Sequence, residues 1–121
     1  MPDVIDAGPA ELDALRSGRE PALVMFGADW CTTCAAMMPA LREIAAEAQV
    51  RILHLDVGLH PEVADSEQIR TLPTLMAFAG GEVTHRSSGV KRLAQLRRLV
   101  AELSATVEDT RETRAGRPEV P

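Results

Sequence analysis

Apolar and polar positions along the chain change period several times, and each change marks an element. Segments 21–27 (PALVMFG) and 74–79 (TLMAFA) are short unbroken apolar runs, the pattern of strands covered on both faces. Segment 51–57 (RILHLDV) alternates and predicts a third strand. Gly80-Gly81 is a hairpin turn signal, so 82–86 is expected to return beside 74–79. Val4-Ile5 fits a short edge strand. Helical spacing takes over in between. In 9–16, Pro9 suits a first turn, Leu12 and Leu15 share a face, and Gly18 can end the helix. In 32–48, Met37, Met38, Leu41, Ile44, Ala45 and Ala48 recur at three and four, with Pro39 expected to kink the helix. Segment 60–68 has weak periodicity behind Pro61, and 90–103 carries the stripe Leu93, Leu96, Leu99, Val100 and Leu103. The order predicts an α/β fold: a central mixed sheet of four to five strands with helices on both faces.

From Ser104 the apolar pattern fades. The expectation is one domain over 1–105 and a polar, disordered tail over 106–121, which lacks the hydrophobicity to offset ordering entropy. At 121 residues and 45% hydrophobic, the chain can build one core. Its only aromatic residues are Phe26, Trp30 and Phe78, so that core must come from Leu, Val, Ile, Ala and Met. A formal charge of −5 argues against a nucleic-acid or anionic-membrane binder. No stretch approaches the roughly 18 to 20 apolar residues that span a bilayer. The start, Met1-Pro2-Asp3-Val4, lacks a basic segment followed by an apolar one, so the expected location is cytoplasmic.

The two cysteines of the chain stand in Trp30-Cys31-Thr32-Thr33-Cys34, between an apolar strand run and a helical stretch. In a reducing compartment such a pair is more often catalytic or metal-binding than structural. Zinc in a structural site wants four ligands. His54, His60 and His85 have no recognisable ligand spacing, so no metal is expected. A pair of inert buried thiols is the bland alternative. The active reading assigns roles by position. Cys31 lies where the helix begins, and unpaired backbone N–H groups there favour an anion. It is expected to be the exposed, acidified, attacking sulfur. Cys34, one turn in, is expected to be more buried and to resolve the mixed disulfide by attacking Cys31. His54 is read as a partly buried strand residue with proton transfer as its alternative role, and Asp29 as a solvated charge.

The stretch VMFGADWCTTC, then Pro39, then LPT at 72–74 and AGGEV at 79–83 resembles the thioredoxin family over 21–103, in order and spacing. The Trp before the first cysteine and the Gly-Gly-Glu hairpin are more similar to thioredoxins than to glutaredoxins. The resemblance implies that Pro73 is a cis-proline facing the cysteines, and that Leu72 contacts substrate through its backbone. It places Trp30, Thr32, Thr33 and Gly89 on the same substrate-facing surface. It also exposes departures. Thr32-Thr33 stands where Gly-Pro is usual, and Gly27 where an aromatic residue is usual. Met25 replaces a buried aspartate that helps deprotonate the second cysteine, and His54 replaces its lysine partner. Slow reduction near neutral pH is therefore expected.

The function so implied is reduction of protein disulfides by a Cys31/Cys34 dithiol–disulfide cycle. It needs no cofactor. The implied partners are disulfide-containing proteins and a thioredoxin reductase as electron donor, and the protein is expected to be a monomer. The alternative is a redox-responsive peptide-binding module of the same fold with little turnover, kept open by Met25 and the Thr-Thr pair.

Overall fold

The computed structural model describes residues 3–114, with side chains through residue 105. The elements are β1 (Ile5–Ala7), α1 (Pro9–Ser17), β2 (Ala22–Gly27), α2 (Thr32–Glu47), β3 (Arg51–Asp56), α3 (Pro61–Ser66), β4 (Thr74–Ala79), β5 (Glu82–Ser88) and α4 (Leu93–Arg114). The strands form one sheet in the order β1-β3-β2-β4-β5. β1, β3 and β2 run parallel, and β4 and β5 run antiparallel to their neighbours. The result is a mixed five-stranded α/β sheet flanked by helices.

β2 is central, and its apolar run is buried at every position. Both its faces are covered. Leu23 and Met25 join Ile52, Leu75 and Ala77 under α2 and α4 in one apolar cluster. Ala22, Val24 and Phe26 join Leu53, Leu55, Met76 and Phe78 with Leu12 and Leu15 of α1 and Val63 of α3 in the other. Alternate side chains of a strand point to opposite faces, so an unbroken apolar run feeds both clusters. Gly80 and Gly81 carry φ of 63° and 85°, as a two-residue hairpin turn requires.

Several bounds differ from the sequence expectation. β1 runs to Ala7 because it pairs with 53–55 of β3. β5 runs to Ser88, opposite Thr74, because β4 supplies backbone partners that far. α3 stops at Ser66 and the chain turns at Gln68, whose φ is 56°. α4 starts at Leu93, where the Gln95 carboxamide accepts the Arg92 N–H at 2.8 Å. It continues to Arg114, past the point where a polar tail was expected to begin. Once nucleated, a helix propagates without needing an apolar stripe. Residues 115–121 of the expected tail lie outside the described residues. Pro39 sits inside α2, which continues across it as one element with Pro39 exposed.

One end of this sheet gathers the chemistry. Gly27 at the end of β2 pairs with Asp56 at the end of β3, Phe26 pairs with Thr74 at the start of β4, and Thr74 with Ser88 at the end of β5. The loops that leave this row carry 28–31, 57–60, 71–73 and 89–92.

Candidate functional site

Cys31 is the N-cap of α2. Its extended φ and ψ of −89° and 104° turn its sulfur back over the first helical turn. There the sulfur accepts the N–H of Cys34 at 3.2 Å and lies 3.3 Å from the Thr33 hydroxyl. The sulfur thus satisfies one of the donors that a helix start leaves unpaired. Cys31 and Cys34 are joined as a disulfide, with their Cα atoms 5.2 Å apart. The expected exposure of Cys31 is corrected here. Its accessibility is 7%, against 2% for Cys34, so both are buried and Cys31 is the more open. Closing the bond and accepting the Cys34 N–H draw its sulfur inward against the α2-side cluster.

The surroundings come from the neighbouring loops. The Leu72–Pro73 peptide is cis, with Leu72 half-buried and Pro73 buried. This turn is tied at two points. The Thr74 hydroxyl donates to the Thr71 carbonyl at 2.6 Å, and the Gly89 N–H donates to the Pro73 carbonyl at 2.9 Å. Gly89 holds a φ of 92°, which allows its N–H to meet that carbonyl. Thr32 and Thr33 are exposed on the first turn of α2. Trp30 is 73% exposed, too open to be core packing, and its indole lies beside Gly58. Asp29 is exposed, as a solvated charge should be.

Two features were not read from the sequence. Asp56 is buried at the end of β3 and accepts the Gly58 and Leu59 N–H groups at 2.7 and 3.3 Å. That turn presents Leu59, 72% exposed, on the same loop as the glycine beside Trp30. An Asp two residues before a Gly is a signal for such a turn. The second feature is a convergence behind the disulfide. A Cβ on Gly27 would stand 3.1 Å from the Cys34 sulfur and 3.1 Å from His54 Nε2. No spacing rule reveals that two residues on different elements meet over a third. Met25 is fully buried beside them, paired with His54. Among the described residues, no group of three His, Cys, Asp or Glu side chains could hold a metal ion, and no helix is long and apolar enough to cross a membrane.

Comparison with known proteins gives a consistent picture. The thioredoxin family model matches residues 10–102. A thioredoxin-like protein of Synechocystis sp. is 36% identical over 86 residues, which cover 69% of this chain and 82% of the relative. A thioredoxin of Mycobacterium tuberculosis is 37% identical over 89 residues, covering 72% of this chain and 77% of the relative. A bifunctional thioredoxin reductase/thioredoxin of Mycobacterium leprae is 40% identical over 84 residues, which cover 68% of this chain and 18% of that longer protein. Among solved structures, a point variant of a thioredoxin from Halobacterium salinarum superposes with a TM-score of 0.76 at 27% identity, covering 84% of this chain and 90% of that one.

Proposed function

This chain belongs to the thioredoxin family and is a thiol–disulfide oxidoreductase, and from that premise we propose that it reduces protein disulfides with Cys31 as nucleophile and Cys34 as resolving thiol. In the reduced protein, the Cys31 thiolate attacks one sulfur of a substrate disulfide. The substrate S–S bond breaks, its first sulfur leaves as a thiolate and takes up a proton, and a mixed disulfide with Cys31 remains. Cys34 then attacks the Cys31 sulfur. The second substrate sulfur leaves, and the Cys31–Cys34 disulfide forms. Two electrons pass from the dithiol to the substrate, and no metal or organic group takes part.

The observation that carries the assignment is the position of the Cys31 sulfur. It caps α2 and accepts a backbone N–H there, so it is the sulfur whose anion the helix start stabilises. It is also the more open of the two. Leu72, ahead of the cis-Pro73, would pair its backbone with an extended substrate segment. Trp30, Thr32, Thr33 and Gly89 complete the surface around it. The bifunctional M. leprae relative joins a thioredoxin reductase to a thioredoxin in one chain, which supports a thioredoxin reductase as electron donor here. We place the protein in the cytoplasm as a monomer. Sedimentation would test the monomer, and fractionation of the source cells would test the location.

An insulin-reduction assay driven by dithiothreitol tests the central reading. The expected result is precipitation of insulin above background that Cys31→Ser abolishes. Cys34→Ser is expected to trap a one-to-one mixed disulfide with substrate, seen by mass spectrometry. A trapped adduct on Cys34 in the Cys31→Ser protein would reverse the two roles.

A further inference from the structure

The buried thiol must lose a proton before it can attack, and the residues packed behind it decide where that proton goes. Cys34 is 2% exposed, so bulk water does not solvate its sulfur freely. Met25 beneath it is fully buried and carries no base. β2 otherwise offers Gly27, which has no side chain. That gap is filled from the next strand. His54 sits opposite Met25 on β3, and Ile52, two residues before it, packs in the α2-side cluster. Its Nε2 and the Cys34 sulfur both lie 3.1 Å from the point a Gly27 Cβ would occupy. Nitrogen and sulfur are therefore separated by no more than twice that distance, a span that one hydrogen-bonded water covers. The far side of the ring faces the sheet edge. His54 Nδ1 lies 3.8 Å from a carboxylate oxygen of Asp6, opposite it on β1. The His54 side chain is 17% exposed, so its ring has a route to pass a proton on to solvent.

We propose that His54 is the proton acceptor for Cys34 in the resolving step, reached across the gap at Gly27. This rests on the reading that Cys31 attacks first. When the mixed disulfide has formed, the Cys34 S–H proton moves to His54 Nε2, directly or through one water. The Cys34 sulfur forms its bond to Cys31, and the bond from Cys31 to the substrate sulfur breaks. That sulfur leaves with the electron pair as a thiolate. The imidazolium returns the proton to the leaving thiolate or to solvent. Among the described residues, the titratable groups facing this gap are Asp6 from β1, Cys34 and then Cys31 from α2, and Asp56 at the end of the same strand. Asp56 is engaged by the Gly58 and Leu59 N–H groups. β2 presents only Met25 and Gly27.

The test is a stopped-flow reaction of the reduced protein with an aromatic disulfide whose released thiolate is coloured. The first release reports attack by Cys31, and the second reports resolution by Cys34. In wild type the second phase is expected to follow the first without a lag near neutral pH. In His54→Gln it should slow by at least about tenfold near neutral pH, with the first phase unchanged. Free imidazole is expected to restore part of the second phase in His54→Ala. Gly27→Ala, which pushes a methyl between sulfur and ring, should slow the second phase while leaving the first. An unchanged second phase in His54→Gln would overturn the proposal while the Cys31-first reading stands. No release from Cys34→Ser, with release retained in Cys31→Ser, would overturn both.

Discussion

Gly80 and Gly81 both hold positive φ, yet their surroundings differ in a way that predicts unequal substitution costs. A Cβ on Gly80 meets nothing within 4 Å, so Gly80→Ala carries only the backbone penalty, about 1 kcal/mol. A Cβ on Gly81 would stand 2.8 Å from the Arg16 carbonyl oxygen and 3.1 Å from that of Gly18. Gly81→Ala should therefore cost at least about 1 kcal/mol more, as read from urea denaturation midpoints, because backbone must move. Equal costs would show that the turn does not pack against the end of α1. At this scale the sequence was informative where chemistry is local. The Cys31–Cys34 pair was identifiable because a thiol pair at a helix start carries its meaning in its neighbours, whereas the cis-Pro73 was expected only from the family resemblance. Burial of Cys31 was not, since it depends on where a disulfide turns the sulfur. The His54–Cys34 convergence was equally hidden, because the residue that permits it, Gly27, signals only by lacking a side chain.

Among elements, α2 matters most, because it carries the cysteines and spans the sheet. Its inward row is Cys34, Met37, Leu41, Ile44 and Ala45. Leu41 is fully buried at the middle of that row. Leu41→Ala is expected to cost about 2–5 kcal/mol by chemical denaturation, from lost transfer energy and the cavity left behind. A smaller loss would mean that α2 settles into the gap. The far end of α2 is tied to α4 by Glu47, which accepts Arg97 N–H groups at 2.6 and 3.3 Å. That hydrogen bond holds the Glu47 carboxyl below its ordinary value of 4.5. A depressed carboxyl contributes stability above its unfolded value and loses it as pH falls through the folded value. Both side chains are half-exposed, so the effect is small. Glu47→Gln should thus be slightly less stable than wild type at pH 7, and the difference should vanish well below pH 4.5. A difference that persists in acid would point to packing instead of charge. Element types followed from periodicity throughout. Their ends did not, because Ser88, Leu93 and Gln68 mark where a neighbour's backbone or a cap takes over.

For the whole molecule, two apolar layers on one sheet account for the described core, and the last buried residue among the described side chains is Leu103. Residues 106–121 are polar and mixed in charge, so a chain shortened to residues 1–105 should keep its unfolding free energy to within about 0.5 kcal/mol and its insulin-reducing activity. A large loss would show that residues 106–121 contribute to the fold. Removal of 96–105 is expected to unfold the protein, since Leu96, Val100 and Leu103 close the layer over α2 and β4.

The order of strands and helices, the covered central strand and the placing of a cysteine pair at a helix start were decided by the linear pattern, because hydrophobic period and local backbone fields act within a few residues. Pairing across the sheet decided the rest. It set β2 between β3 and β4, brought the loops of four strands to one end, and let a histidine from one strand fill the space over a glycine of the next. Such contacts join residues distant in sequence, and their distances arise only when the chain has closed on itself.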